Sequence, residues 1–179
     1  MEHYISVWKA NLTNGLILGL IAIAYTLIIY FLNLIFNEYQ GYIFYVIQIL
    51  VLFTLIRSYR ENCKHGFITY GQAVASGVVI SFYSAVIYAI LIYILYAFID
   101  TDLVNKQLAF IEESLIKRGL PKSIIDSGLE IQKKFLQPSI YALTRLFSNF
   151  FGGTIITLII AIFIKKENNP LAERLEINL

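Results

Sequence analysis

The sequence predicts an all-α fold: an integral membrane four-helix bundle with an extramembrane helical hairpin between its third and fourth spans. Three observations carry that reading. Hydrophobic residues make up 58% of the 179 residues and charged residues 15%, where an average soluble domain has roughly 45–50% and about 25%. A globule of this length still exposes about a third of its chain surface, so so much apolar surface cannot all be placed inside. The apolar residues are also gathered: residues 10–37, 39–56, 65–99 and 146–164 contain no Asp, Glu, Lys or Arg, and apolar windows of about 18 residues or more read as membrane spans.

A helix rises about 1.5 Å per residue, so roughly 20 residues cross a hydrocarbon layer ~30 Å thick. The first span is expected over 15–36 and the second over 42–56, joined by the short turn Asn37–Gly41 into a hairpin. The apolar stretch from Leu12 to Phe36 exceeds the length of a signal-peptide core, so the first span is expected to stay in the mature protein. The third span is expected over 70–99, opened by a capping box in which Thr69 accepts from an early helix N–H and Gln72 reaches back. At that length it tilts or projects beyond the bilayer, and Asp100 and Asp102 mark where it has left the hydrocarbon. The fourth span is expected over 141–164, followed by a polar tail, 167–179, that contains Pro170 and Arg174.

Between spans three and four, residues 102–137 read as a helix–turn–helix hairpin. Val104, Leu108, Ile111 and Leu115 give one apolar helical face, Gly119 stands where a helix C′ residue is wanted, and Pro121 opens a second helix. There Ile125, Leu129 and Leu136 continue the spacing, Ile124, Ile131 and Phe135 widen the stripe, and Pro138 closes the segment. Glu113–Lys117 and Glu130–Lys134 are favourable i, i+4 pairs. The stripes close on each other or lie on the membrane surface.

Orientation follows from basic residues in short loops. Arg57, Arg60 and Lys64 lie between spans two and three, Lys165 and Lys166 follow span four, and the turn between spans one and two has none. Both termini and the 57–69 loop are therefore expected to be cytoplasmic, in a multi-pass protein of the cell membrane. The six Lys/Arg of 100–139 pull the other way.

Spans associate where small residues let backbones approach. Span three offers Ala73, Gly77, Ser81, Ala85 and Ala89; span four offers Asn149, Gly153, Thr157 and Ala161; span one offers Gly15 and Gly19. These rows serve packing within the chain or, alternatively, a homo-oligomer face. Arg145 falls near the outer end of span four, about 30 Å from Lys165, and is expected to pair with Asp100 or Asp102. Tyr4, Trp8, Tyr39, Tyr42, Tyr59, Tyr70 and Tyr141 flank spans, where amphipathic rings favour the headgroup level.

Chemistry is harder to place. A net charge of +2, from 14 basic and 12 acidic side chains, has no basic stripe of the kind nucleic acid requires. Cys63 is the single cysteine, so no intrachain disulfide forms, and Cys63 with His65 falls short of a metal site's ligand count; no metal, cofactor or catalytic residue is expected. No His, Asp or Glu lies within a span to activate Ser81 or Ser84, so an intramembrane enzyme is not expected. Asn33, Gln48, Tyr88 and Asn149 would have to face one cavity in a small transporter or channel. The leading expectation is a non-enzymatic envelope component, embedded in the lipid bilayer, that presents the 102–137 hairpin to a protein partner.

Several stretches together resemble a known family: Gly15-Leu-Ile-Leu-Gly19, Gly66-Phe-Ile-Thr-Tyr-Gly-Gln-Ala73, the hairpin's Ile111-Glu-Glu and Lys117-Arg-Gly-Leu120, Gln132-Lys-Lys-Phe135, and Phe151-Gly-Gly153 leading to Lys165-Lys166. In order and spacing the chain resembles the bacterial four-span membrane family called domain of unknown function 4199, over most of residues 10–167. Pro121 stands where that family often has a serine cap. The resemblance implies a four-helix integral membrane fold and implies no activity.

Overall fold

The computed structural model describes residues 6–37 and 39–167. The positions Glu2, His3 and Tyr4 and the tail beyond Glu167, with Pro170 and Arg174, lie outside the described residues. Among the described residues six α-helices follow one another: α1 Val7–Phe31, α2 Gln40–Cys63, α3 Tyr70–Ile94, α4 Leu103–Lys117, α5 Lys122–Phe135 and α6 Pro138–Ile164. The end of α3 widens into a π-helical turn, Leu95–Ile99. With that turn included, α1, α2, α3 and α6 are each long and apolar enough to cross a membrane, as the sequence predicts.

The first span is displaced from its expected bounds at both ends, for local reasons. It begins at Val7 because its early polar residues find partners: Asn11 Nδ2 donates to the Val7 carbonyl at 3.0 Å, and Asn11 Oδ1 accepts from the Ser76 hydroxyl of α3 at 2.9 Å. It ends at Phe31 because Asn33 takes a left-handed backbone, φ 55°. Asn33 N–H then donates to the Tyr30 carbonyl and Leu34 N–H to the Ile29 carbonyl, which closes the last turn as a Schellman motif. The second span is longer than 42–56 at both ends. Pro138, rather than merely closing the hairpin, is the first residue of α6, where its missing N–H and fixed φ suit a first helical turn.

Helix α3 is the axis of the bundle, packed against α1 on one side and α6 on the other, with α2 completing the circle. The small residues sit at these seams. A methyl group on Gly19 would meet Ile87 Cδ1 at 2.9 Å, one on Gly77 would crowd Thr157 and stand 2.8 Å from Ile56 Cδ1, and one on Gly153 would stand 2.6 Å from Ser81 Oγ. Gly15 faces Tyr83 equally closely, and Ala73 and Ala85 are buried. All of these contacts are made within one chain. Asn149 is different: it borders a cavity instead of a helix seam.

The capping box of α3 is present, with Thr69 Oγ1 accepting from Gln72 N–H and Gln72 Oε1 accepting from Thr69 N–H. Beside it, Ile68 and Lys166 exchange backbone hydrogen bonds of 2.8 and 2.9 Å, and Arg60 Nη1 donates to the Ile164 carbonyl at 2.9 Å. A cation on the last carbonyls of a helix also suits its dipole. These bonds tie the 57–69 loop to the exit of α6. A first apolar core lies at this end, around Leu52, Ile56, Tyr59, Ile80, Ile160 and Ile164. Tyr59, expected at the headgroup level, is 3% exposed within it. The bundle's outer surface carries Leu20, Phe31, Leu50 and Phe163 exposed, as lipid contact requires.

A second core closes the opposite end. There α4 lays Leu103, Val104, Leu108 and Ile111 over Ile92, Leu95 and Tyr96 of α3, with Leu136, Tyr141 and Ala142 of the α5–α6 junction. Gly119 has φ 73° and ends α4 as the sequence predicts, with Gly119 N–H bonded to the Ile116 carbonyl and Leu120 N–H to that of Leu115. The hairpin is thus a roof on the bundle.

Candidate functional site

Beneath that roof lies a cavity of about 130 Å³, which exceeds the space a single water needs. Every spanning helix contributes to its wall: Tyr25 and Thr26 from α1, Gln40 and Phe44 from α2, Tyr88 and Tyr96 from α3, and Tyr141, Arg145 and Asn149 from α6. Gln107 of α4 closes it from above. Helical spacing explains the alignment, because Tyr141, Arg145 and Asn149 recur every four residues, as do Tyr88, Ile92 and Tyr96.

Among the described residues, Arg145 is the only charged one in the lining. Its Nη2 donates to the Tyr141 hydroxyl, and its guanidinium lies 4.8 Å from the centre of that ring, a cation–π distance. The Tyr141 ring packs against Tyr96, centroid to centroid 4.8 Å, and the Tyr96 hydroxyl donates to Gln107 Oε1 at 2.9 Å. One chain of contacts therefore runs from Arg145 to the hairpin.

The expected pairing of Arg145 with Asp100 or Asp102 is not formed. Asp100 Oδ2 instead accepts from Lys106 Nζ at 2.9 Å and from the Tyr30 hydroxyl at 3.1 Å, and Lys106 also lies 3.9 Å from Asp102. The reason is local. Lys106 is on the first turn of α4, so the chain delivers it to Asp100, whereas Tyr141 holds Arg145 inward. The Lys106 ammonium holds the Asp100 carboxyl below the usual carboxylate range, with the Tyr30 hydroxyl adding to it, and Asp100 in turn raises the Lys106 ammonium above its ordinary value.

The four polar residues proposed for a transport path are dispersed. Tyr88 and Asn149 border the cavity, but Asn33 is exposed in its turn. Gln48 is buried near Gly153, and its Oε1, like Ser81 Oγ and Thr157 Oγ1, makes no hydrogen bond. Tyr141, expected to flank the span at the headgroup level, is a wall of the cavity. Sequence reasoning passed over Tyr25, Thr26, Tyr96 and Gln107; only the four-residue spacing of Tyr141, Arg145 and Asn149 was available as a signal. Among the described residues no three His, Cys, Asp or Glu side chains gather as metal ligands would.

On the hairpin's far side, α5 buries Ile125, Leu136 is buried just past its end, and Gly128 faces Leu115 of α4. Ile124, Ile131 and Phe135 form a second strip, 55%, 55% and 56% exposed. The pairs Glu113–Lys117, at 2.8 Å, and Glu130–Lys134, at 3.7 Å, are both present.

Neither the curated proteins nor the solved structures offer a match to this chain. A family model described as "Protein of unknown function (DUF4199)" matches residues 13–166, from the second turn of α1 to the strand-like bridge after α6, and the chain belongs to that family.

Proposed function

We propose that this multi-pass membrane protein is a non-enzymatic envelope component that uses its hairpin to hold a protein partner at the bilayer surface. The observation that supports this most is the strip Ile124, Ile131 and Phe135, left more than half exposed on a hairpin whose other apolar stripe is already closed. Lys133 stands in the last turn of the same helix, beside a Lys134 paired with Glu130, so the matching partner surface is apolar with an acidic group opposite Lys133. In the orientation that the basic loops favour, the termini and the 57–69 loop are cytoplasmic and the hairpin faces outward.

Deleting the hairpin is a poor test, since Leu103 and Leu136 belong to the bundle's core. The full chain is better compared with an Ile131→Ser, Phe135→Ser double variant by affinity capture from detergent extracts. The reading expects a stoichiometric partner to be lost while the melting temperature is unchanged; identical partner lists would contradict it.

A small transporter or channel subunit is the second reading; its four-residue path does not form, since Asn33 and Gln48 lie outside the cavity, and what favours it is the cavity that Tyr88 and Asn149 border. Tyr88 lies about 16 Å along the helix from Ile99, so the cavity reaches roughly halfway across a ~30 Å layer, and below it the first apolar core fills the bundle. Such a vestibule suits one state of an alternating carrier better than an open pore. Solute flux into liposomes containing the protein tests it.

A further inference from the structure

The cavity has a chemical bias that the hairpin reading does not use. Among the described residues its wall holds one cation, Arg145, and no Asp or Glu. Among the described residues, no carboxylate forms an ion pair with this guanidinium. The group carries several N–H donors, and Tyr141 takes only one of them. Two of the nearby acceptors are engaged: Gln107 Oε1 takes the Tyr96 proton and the Gln40 carbonyl takes that of Tyr25. The donors left in the wall are the other guanidinium N–H groups, the Gln107 and Asn149 amide N–H groups, and the Tyr88 hydroxyl.

An arginine near the end of a span ordinarily extends to the headgroups. Here the Tyr141 ring and hydroxyl hold the guanidinium inward, so an anion has to come to it. The geometry points to a binding site for a phosphate group in this cavity, with Arg145 as the charged anchor and Gln107, Asn149 and Tyr88 as neutral donors. Donors converging from α3, α4 and α6 match the several acceptor oxygens of a phosphate better than the two of a carboxylate. A volume of about 130 Å³ admits a phosphate, free or at the head of a lipid whose chains stay outside, and does not admit a whole lipid. Because Gln107 belongs to the hairpin, bound phosphate would also bridge roof and bundle. The inference is independent of any protein partner.

The test uses the full chain purified in detergent, wild type beside Arg145→Gln and, as a control, Lys133→Gln on the hairpin surface. Native mass spectrometry reads co-purified phospholipid, and thermal melting reads inorganic phosphate against chloride at matched ionic strength. Wild type and Lys133→Gln are expected to hold one phospholipid or to melt higher in phosphate, with at least a tenfold loss of affinity in Arg145→Gln. Retained lipid without a phosphate response identifies a headgroup as the source; the reverse identifies a free anion. No binding of either kind, or equal binding in wild type and Arg145→Gln, overturns the site. Should Arg145→Gln fail to fold, Gln107→Ala and Asn149→Ala keep the cation and are each expected to weaken binding several-fold. Unchanged binding in both would overturn it as well. Partner capture through Ile131 and Phe135 is a separate readout, so failure of one reading does not carry the other with it.

Discussion

Gly153 of α6 faces Ser81 of α3 so closely that a methyl group on the glycine would stand 2.6 Å from the serine Oγ and 2.9 Å from its Cβ. Its neighbour Gly152 has nothing within 4 Å of the same built position. Adjacent glycines on one helix therefore carry opposite expectations. Gly153→Ala should cost roughly 1–3 kcal/mol through overpacking, about 2–4 °C of melting temperature per kcal/mol in a chain of this size. Gly152→Ala should be neutral or stabilising by up to about 1 kcal/mol. Thermal melting in detergent of the two variants checks both, and equal shifts would mean that α3 and α6 do not meet at this seam.

The entry to α3 gives a second prediction. Thr69 and Gln72 satisfy two otherwise unpaired groups there. Losing the hydroxyl in Thr69→Ala should cost about 1 kcal/mol, while Thr69→Ser, which keeps it at an exposed position, should be neutral within a few tenths. Because Ile68 next to it is bridged to Lys166, hydrogen exchange at both strands of that bridge should rise in Thr69→Ala and stay unchanged in Thr69→Ser.

Protonation of Asp100 should loosen the hairpin. The folded pKa of Asp100 lies below its ordinary value of 3.8, so its contribution is full above that value and is lost as pH falls through the lowered one. The folded pKa of Lys106 lies above its ordinary 10.5; its contribution is full below that value and is lost as pH rises through the raised one. Between about pH 5 and about pH 9 the wild-type hairpin should therefore be indifferent to pH. Exchange of the α4 amides, compared with Asp100→Asn at each pH, should show the wild type better protected across that range and the difference vanishing in stronger acid. A wild type no better protected than Asp100→Asn at neutral pH would show that the Lys106–Asp100–Tyr30 contact does not hold the roof.

Much of this fold is legible in the sequence because each signal is local. Charge-free runs mark four spans, Thr69 and Gln72 mark a helix start, and Gly119 marks a helix end, since each needs only neighbours a few residues away. Rows such as Gly77–Ser81–Ala85 also disclose seams, because close approach demands small side chains wherever the partner comes from. Distant partners stay hidden. Asn11 lies before the expected start of span one, and the Ser76 hydroxyl that donates to it comes from far along the chain. Asp100 has two cations at the same end of the bundle, and sequence alone does not show that Tyr141 turns Arg145 inward while α4 brings Lys106 across. The cavity depends on all four spans and the hairpin at once, and no single helix betrays it.

The most direct test of the account is the sidedness of the chain, since a hairpin roofing one end of a four-span bundle must lie across the membrane from the 57–69 loop. Cys63 is exposed and is the single cysteine of the chain, so an impermeant thiol reagent applied to intact cells or inverted vesicles reads that loop directly. A second protein, Cys63→Ser with Glu130→Cys, reads the hairpin. Labelling of the two positions from opposite sides, with Cys63 reached from the cytoplasm, is the predicted result. Labelling of both from one side would contradict the four-span arrangement and, with it, the placement of hairpin and cavity.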